Sequence, residues 1–253
     1  MNESRDKIFS VRNLHIGVEG KEVVKGINLE LVKGEVAVIM GPNGSGKSTF
    51  ANGVAGHPKY SVGGTILLDG EDISHESPYS KSRKGLFLSF QNPQEIPGVT
   101  VSNLLRTAMN ARRAKDNQIK MIEFMKKLNE SMELLHIPKE FASRYVNEGF
   151  SGGEKKKMEI LQLAMLSPKL AILDETDSGL DIDALKKVCE SINALKEKNK
   201  DLTVLIITHY QRMLNYIKPD KVFIMLDGQI VKSGGAELAH ELEKEGYDKY
   251  KVK

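Results

Sequence analysis

The sequence predicts an α/β fold: a mixed sheet core, an N-terminal antiparallel β-subdomain and an inserted α-helical subdomain. Three observations predict it. Short apolar runs followed by loops recur between residues 36 and 226. Residues 8–32 alternate apolar and polar side chains, the period of a half-buried antiparallel strand. From residue 100 to about residue 144 the apolar positions repeat every three to four residues, the period of an amphipathic helix.

The first predicted element is a β-hairpin. Its strands run from Ile8 to Val18 and from Val23 to Val32, and Glu19-Gly20-Lys21 separates them. Lys33-Gly34-Glu35 makes the next turn. The apolar run from Val36 to Met40 then predicts a buried strand.

A glycine-rich loop follows that strand and reads Gly41-Pro42-Asn43-Gly44-Ser45-Gly46-Lys47-Ser48-Thr49. In the pattern G-x-x-x-x-G-K-[ST] the glycines let backbone N–H groups converge on an anion. Lys47 adds a positive charge for the β- and γ-phosphates, and the Ser48 hydroxyl suits Mg²⁺. The helix beginning near Lys47 directs its positive end at the same phosphates. The alternative, a glycine turn before an ordinary helix, has no need of a lysine followed by two hydroxyls.

The middle of the chain changes from strands to helices. A strand ends at Asp69-Gly70, residues 71–84 predict a loop or short helix, and a third apolar strand, Leu86 to Phe90, ends at Gln91. Two helices follow, with apolar faces at Val101, Leu104, Leu105, Ala108, and at Ile119, Ile122, Met125, Leu128, Met132, Leu135. Pro138 breaks the second of them, and a further helix starts at Ser151.

The sheet resumes after Ser167-Pro168. The predicted strands are Leu170 to Asp174, Thr203 to Ile207, Lys221 to Leu226 and Gln229 to Val231, and residues 236–246 predict a last amphipathic helix. We therefore expect one domain over residues 1–253, with 1–92 and 165–253 as the α/β core and 93–164 as the helical subdomain.

Carboxylates and other polar side chains follow these buried strands. Asp174 and Glu175 come directly after one strand, at the end where an open α/β sheet has its ligand crevice. Asp174 suits Mg²⁺, and Glu175 is placed to orient or deprotonate a water. His209 follows a strand expected to neighbour that of Asp174, where a neutral imidazole could donate to a γ-phosphate or to the water. An amide at Gln91 could reach Mg²⁺ or the water. The alternatives are helix capping for the two acids, a structural histidine and a strand-capping glutamine.

The segment Ser151-Gly152-Gly153-Glu154 opens a helix. Ser151 and Glu154 form the pattern of a capping box, which is a purely structural explanation. Two glycines in the first turn, however, cost about 1 kcal/mol each relative to alanine. Close approach of an anion to the backbone N–H groups and the Ser151 hydroxyl explains them. Since the glycine loop already holds the chain's own phosphate, we expect this second site to serve another subunit's nucleotide.

Composition restricts the classes of partner and the cellular location that we expect. The net charge of +3 comes from interspersed Lys and Glu, so we do not expect nucleic acid binding. No run approaches the roughly 18 apolar residues of a membrane span, and the N-terminus predicts neither a signal peptide nor a transit peptide. A single cysteine, Cys189, excludes an internal disulfide and fits a reducing, cytoplasmic compartment. Its helical spacing with apolar neighbours predicts a core position.

Over essentially its whole length the chain resembles the ATP-binding cassette (ABC) ATPases, a branch of the P-loop NTPases. Their motifs occur in family order: Walker A at 41–49, the Q-loop at Gln91, the signature at 151–154, Walker B with Glu175, the D-loop Ser178-Gly-Leu-Asp181 and the switch His209. The resemblance implies ATP hydrolysis with Mg²⁺. It also implies an ATP-dependent head-to-tail homodimer, in which Walker A of one subunit and the signature of the other, with Asp181, enclose each nucleotide.

Three departures from the family pattern point to one group within the family. No aromatic residue between Leu14 and Glu19 is available to stack on adenine, Phe150 replaces the usual Leu before the signature, and Thr176-Asp177 replaces Pro-Thr after Glu175. Four segments accompany them: Phe150-Ser-Gly-Gly-Glu-Lys-Lys156, Asp177 to Lys186, Thr208-His-Tyr-Gln-Arg212 and Tyr216-Ile-Lys-Pro-Asp220. Together these features resemble the SufC group, the cassette ATPases of the SUF iron–sulfur cluster assembly system. That similarity implies SufB/SufD-like scaffold subunits as partners, docked through the helical insertion and Gln91 to Val99.

Two other functional classes stay open. The chain could be the nucleotide-binding subunit of an ABC membrane transporter, with the membrane spans in a separate chain. A P-loop kinase is disfavoured because no second substrate-binding element is evident and the signature would go unexplained. A further hypothesis concerns regulation: Lys156 pairs with Glu175 in the monomer and holds this base away from water.

Overall fold

The computed structural model describes residues 6–209 and 211–250. These residues form two compact units. The first, here called the sheet unit, comprises residues up to Phe90, Lys169–Asp177 and the residues from Lys200 onward. The second, here called the helical unit, comprises Gln91–Pro168 and Ser178–Asn199.

The described strands and helices follow in chain order. The strands are β1 (Lys7–Val18), β2 (Lys21–Val32), β3 (Val36–Met40), β4 (Tyr60–Leu68), β5 (Glu71–Asp72), β6 (Leu86–Ser89), β7 (Ile96–Thr100), β8 (Tyr145–Val146), β9 (Leu170–Asp174), β10 (Thr203–Thr208), β11 (Lys221–Leu226) and β12 (Gln229–Gly234). The α-helices are α1 (Lys47–Ala55), α2 (Pro78–Lys84), α3 (Val101–Ala111), α4 (Met121–Leu134), α5 (Gly152–Leu166), α6 (Ile182–Lys198) and α7 (Glu237–Glu245). Short 3₁₀ turns cover Lys139–Ser143, Gln211–Asn215 and Asp248–Tyr250.

The sheet unit contains two β-sheets. The predicted N-terminal hairpin is confirmed, and it continues into an antiparallel sheet of order β2-β1-β4-β5. The mixed sheet has the order β12-β11-β3-β10-β9-β6, in which only the β11–β12 pair is antiparallel. Residues of both sheets and of α1 share one hydrophobic core, to which Phe9, Ile39, Phe50 and Leu205 belong. The arrangement confirms the predicted fold class.

The central strands are buried along their whole length. Every residue of β3, β9 and β10 is buried. This is the pattern of parallel strands covered on both faces, and it explains why these strands read as continuous apolar runs rather than alternating ones.

The helical unit contains α3, α4, α5 and α6, together with a short antiparallel ribbon of β7 and β8. The sequence placed residues 178–199 with the α/β core, whereas here they group with the helical unit because α6 packs on α5. The apolar face of α6 is buried and includes Cys189, as expected. The ribbon was not predicted, because β8 has two residues and β7 contains Pro97 and Gly98.

Two positions of the helix face predicted for α4 are wrong, Ile122 and Met125, whereas Leu128 and Met132 are buried as expected. On α4 the buried side chains are Phe124, Leu128, Ser131 and Met132, whereas Ile122 is 86% exposed. Ile122 lies in the first turn and two residues from Phe124, which places it on the opposite side of the helix from the buried stripe.

None of the described helices is long and apolar enough to cross a membrane.

Candidate functional site

Three loops of the sheet unit begin at the same edge of the mixed sheet. Strand β10 lies between β3 and β9 and runs parallel to both, with Thr208 opposite Met40 and Ile207 opposite Asp174. This confirms the expected neighbourhood of β9 and β10. The glycine loop after β3, the acids at the end of β9 and His209 after β10 therefore meet beyond the carboxyl ends of adjacent strands, where open α/β sheets bind ligands.

The glycine loop requires glycine at two closely packed positions. Gly46 has φ of 103°, and a Cβ there would lie 3.0 Å from the Cε atom of Met225 and 3.3 Å from Cγ1 of Val23. A Cβ at Gly41 would lie 2.3 Å from the backbone oxygen of Met225. Side chains at either position would push the loop away from β2 and β11, so the backbone path needs glycine.

Lys47 points back into its own loop. Its Nζ donates to the carbonyl oxygens of Gly41 (2.8 Å) and Pro42 (2.9 Å). Burial lowers the pKa of Lys47, and the nearby charges of Glu175 and Asp174 oppose that shift. The loop, its ammonium and two carboxylates therefore form one electrostatically coupled group.

The Ser48 hydroxyl donates to Oδ1 of Asp174 over 3.2 Å. No group of three or more His, Cys, Asp or Glu side chains suited to a metal exists within residues 6–209 and 211–250. Mg²⁺ does not require one, because it usually takes one or two carboxylates plus phosphate and water oxygens. A hydroxyl beside one buried carboxylate therefore fits this ion.

Glu175 and His209 lie side by side. Oε1 of Glu175 is 3.7 Å from Nδ1 of His209, and their side chains are 11% and 21% exposed. The backbone of Glu175 has φ of 47°, in the left-handed region, and its N–H donates to the oxygen of Ile207 over 2.9 Å. The backbone thus leaves the strand sharply at Glu175, directly beyond the edge of the sheet.

The two residues after Glu175 are deeply buried. Asp177 is 2% exposed and its Oδ2 accepts a 2.6 Å hydrogen bond from the Thr208 hydroxyl. Burial raises the pKa of Asp177; the bond from Thr208 and the imidazole of His209 lower it, and the Glu175 charge raises it further. The sequence marked Thr176-Asp177 as unusual but gave no signal for the bond to Thr208.

The helical unit holds the remaining predicted residues, and we describe it by itself. The capping box predicted at α5 is confirmed: Ser151 Oγ accepts from the N–H of Glu154 (3.3 Å), and Glu154 Oε2 accepts from the N–H of Ser151 (2.7 Å). A Cβ at Gly152 would meet no described atom within 4 Å, and one at Gly153 only Ala184 Cβ at 3.7 Å. Packing within the chain therefore does not explain these glycines.

Asp181 and Lys156 have structural partners of their own. Asp181 caps α6, accepting from the N–H of Ala184 over 2.7 Å. Lys156 is buried on α5, where its Nζ lies 3.3 Å from Oε2 of Glu159 and donates to the backbone oxygen of Gln91 (3.2 Å). The pairing of Lys156 with Glu175 stays a prediction.

The family model for the ABC transporter matches residues 24–178. Vegetative protein 296 of Bacillus subtilis is 54% identical over 241 residues, covering 95% of this chain and 92% of that protein. A probable ABC transporter ATP-binding protein of Streptococcus pyogenes is 56% identical over 241 residues, covering 95% and 93%. A probable ATP-dependent transporter, ycf16, of Cyanophora paradoxa is 50% identical over 251 residues, covering 98% and 96%.

Solved structures agree with these relatives. MJ1267, an ATP-binding cassette of an ABC transporter, superposes with a TM-score of 0.79 at 29% identity, covering 97% of this chain and 99% of that one. The structure of its ADP conformation gives a TM-score of 0.75, covering 94% and 95%. The chain thus belongs to the ABC transporter family, as one of its ATP-binding and ATP-hydrolysing cassettes.

Proposed function

We propose that this cassette is the SufC-like ATPase of an iron–sulfur cluster assembly system, which dimerises on ATP and drives a conformational change in a SufB/SufD-like scaffold. The observation that carries the proposal is the segment after Glu175. It resembles the SufC group in sequence, and its Asp177 is buried and bonded to Thr208 rather than exposed in a loop. The segment that departs from the usual cassette pattern therefore lies next to Glu175 and His209, the residues proposed for hydrolysis.

The cysteine content supports an energy-transducing role. Iron–sulfur clusters are held by several cysteine thiolates. The chain has one cysteine, which is buried on the inner face of α6. In a cluster assembly system the cluster would therefore lie on another subunit. The proposal includes a cytoplasmic location, because the cytosol keeps such thiols reduced.

The sheet unit supplies the groups that hydrolysis needs. The backbone N–H groups of residues 43–49 and the Lys47 ammonium hold the β- and γ-phosphates of ATP. Glu175 takes a proton from a water as its oxygen attacks the γ-phosphorus, and the bond to the ADP oxygen breaks. His209 lies 3.7 Å from Glu175 and would donate to the γ-phosphate or hold that water.

Mg²⁺ fits beside the phosphates. Ser48 and Asp174 would hold the ion, and the role of Gln91 as a further ligand stays a prediction from the sequence. When bound, it would neutralise charge on the β- and γ-phosphate oxygens.

The signature would bind the nucleotide of a second copy of the chain. With its Oγ accepting from Glu154, Ser151 keeps its hydroxyl hydrogen for donation to an anion. The N–H groups of Gly152 and Gly153 are orphan donors of the first helical turn, with open space at Gly152. Asp181 would contribute from the D-loop. A bacterial ABC transporter cassette of the same fold, MJ0796, is described as dimeric, at 21% identity and a TM-score of 0.77.

The scaffold would dock on the helical unit. In its β7–β8 ribbon, Ile96 is 38% exposed and Tyr145 is 47% exposed. Large apolar side chains on a surface mark candidate interfaces, particularly where they lie close together. The ribbon follows Gln91 directly in sequence, so a partner on it would be well placed to sense the Q-loop.

The test is purification of the tagged full chain from its own cells, with identification of the bound subunits by mass spectrometry. Co-purification with cysteine-rich subunits that lack membrane spans, and that carry or accept an iron–sulfur cluster, supports the proposal. Co-purification with a membrane-spanning permease overturns it and supports the transporter subunit that the name of the Streptococcus pyogenes relative suggests. Transfer of phosphate to an acceptor other than water would instead indicate a kinase.

A further inference from the structure

Arg144 lies beside the signature and contacts several of the groups that shape it. The centre of its guanidinium is 4.1 Å from the centroid of the Phe150 ring and 4.7 Å from that of Phe141. The two rings meet edge to face, with centroids 5.0 Å apart. An arginine held on two aromatic faces has a fixed orientation, because the planar guanidinium stacks and its donors point outward.

Those donors point at the opening of α5. Nη1 lies 3.5 Å from Oε1 of Glu154, and Nη2 donates to the backbone oxygen of Gly149 over 3.4 Å. The other carboxylate oxygen of Glu154 accepts from the N–H of Ser151. A continuous chain of contacts thus runs from the aromatic pair through the guanidinium and the carboxylate to the first signature residue.

The carboxylate of Glu154 poses an electrostatic problem for an anion site. A negative charge in the first turn stabilises a helix, but it also repels a phosphate approaching the same N-terminus. The bond from the Ser151 backbone, with a smaller contribution from Arg144, lowers the pKa of Glu154, so this carboxylate is ionised at neutral pH. A cation held beside the carboxylate, with Nη1 of Arg144 3.5 Å from Oε1, offsets part of that repulsion while leaving the capping box intact.

We infer that Arg144 is a positioning residue of the signature, which neutralises Glu154 so that the capped start of α5 can accept the phosphate of a second subunit. The inference rests on the proposed trans role of the signature. It also explains the departure at residue 150: a phenylalanine offers the guanidinium an aromatic face, whereas the leucine usual in this family would not.

The test compares four variants of the full chain: Arg144→Met, Arg144→Lys, Glu154→Gln and the double variant Arg144→Met with Glu154→Gln. Methionine keeps apolar volume and removes the charge. Glutamine at position 154 keeps a capping box and removes the negative charge. The readouts are steady-state ATP hydrolysis as a function of protein concentration, and the affinity of dilute protein for ATP, which reports the Walker A site alone.

We expect Arg144→Met to lower the hydrolysis rate about tenfold and to raise the protein concentration needed for half-maximal rate, with the ATP affinity of dilute protein unchanged. Adding Glu154→Gln restores at least half of the lost rate, because no carboxylate is left to neutralise. Arg144→Lys should have a rate between those of wild type and Arg144→Met, because a lysine keeps the positive charge but lacks the planar guanidinium. A purely structural role would give no rescue by Glu154→Gln. A wild-type rate in Arg144→Met, or a double variant no faster than the single one, overturns the inference.

Gly152→Asp separates this inference from the proposed function. A side chain at Gly152 meets no described atom within 4 Å, so the fold accommodates it, and an acid there favours the helix while repelling phosphate. If this variant hydrolyses ATP like the wild type, the trans role of the signature is wrong. If it is inactive while Arg144→Met is fully active, the signature acts as proposed and only the role of Arg144 is wrong.

Discussion

The hydroxyl of Thr208 donates to Oδ2 of Asp177 over 2.6 Å, whereas Oδ1 of this carboxylate is buried without a hydrogen-bond partner among the described residues. Two neighbouring strand ends, those of β9 and β10, are joined by this bond beside Glu175 and His209. A carboxylate that is only half satisfied and 2% exposed costs stability when it is ionised.

The first prediction concerns Asp177→Asn. Because burial raises the pKa of Asp177, the folded protein holds this proton at pH values where the unfolded chain, with a pKa of about 3.9, has lost it. The wild type therefore loses stability as pH rises from about 4 through the raised pKa. The asparagine variant lacks this loss, and we expect its stability relative to wild type to rise between acidic and neutral pH.

Urea unfolding of both proteins at a series of pH values measures the difference. Asp116→Asn, at an exposed acid in the loop between α3 and α4, is the matched control and should follow the wild type. Parallel curves for wild type and Asp177→Asn would show that Asp177 titrates alike in the folded and unfolded states.

The second prediction concerns Glu175→Gln. The amide keeps the shape of the side chain but accepts no proton, so hydrolysis should fall about 100-fold or more, while ATP affinity stays within about twofold. Because ATP persists, the variant should also accumulate as a dimer in ATP, which size-exclusion chromatography detects.

An exposed acid of α6 provides the control, since Glu190→Gln should hydrolyse ATP at the wild-type rate. A Glu175→Gln protein that retains most of its hydrolysis would remove Glu175 from the role of base and direct attention to His209, 3.7 Å away.

The sequence predicted the sheet more reliably than the contacts at its edge. Continuous apolar runs such as β9 and β10 identify buried parallel strands because those strands are covered on both faces. The fixed pattern of the glycine loop also predicted that Lys47 and Ser48 lie near Asp174, and the Ser48 hydroxyl donates to this carboxylate. Local patterns of this kind are readable without a structure.

Side-chain contacts that depend on tertiary packing are not readable in this way. Nothing in the sequence links Thr208 to Asp177, or directs Arg144 onto the ring of Phe150, because such pairs depend on how strands and turns pack. Two predicted positions on the α4 face, Ile122 and Met125, are wrong for another reason. Ile122 is apolar yet exposed in the first turn, and a helical period alone does not say which residue begins the buried stripe.

The third prediction concerns Mg²⁺. The Ser48 hydroxyl lies 3.2 Å from Asp174, so removing it in Ser48→Ala takes one oxygen from the ion's surroundings. We expect hydrolysis to stop when EDTA removes divalent cations, and the Mg²⁺ concentration for half-maximal rate to rise about tenfold in Ser48→Ala.

Titration of Mg²⁺ at constant ATP checks this, and Ser61→Ala, at a position remote in sequence on β4, is the control. Hydrolysis that persists in EDTA, or a Mg²⁺ dependence of Ser48→Ala equal to that of wild type, would contradict the assignment of Ser48 and Asp174 to the ion.

The fourth prediction concerns Lys81, which lies at the other end of the helix that follows the glycine loop. Its side chain is fully buried, and its Nζ donates to the oxygen of Val54 in the last turn of α1 over 2.9 Å. Burial lowers the pKa of Lys81 to about 8, against the opposing charges of Glu76 and Asp72. An ammonium at this C-terminal end interacts favourably with the helix dipole, but desolvation is the larger effect.

The direction of the pH dependence follows from the number of protons that the folded and unfolded states bind at Lys81. Between pH 8 and about 10.4 the unfolded chain binds the Lys81 proton while the folded protein has released it, so stability rises with pH through this range. The shift corresponds to a gain of about 3 kcal/mol for wild type relative to Lys81→Met, whose methionine does not titrate. Denaturant unfolding of wild type, Lys81→Met and the exposed control Lys115→Met between pH 7 and 10.5 measures it. If the wild-type and Lys81→Met curves run parallel over that range, the buried amine is not the origin of the alkaline stabilisation.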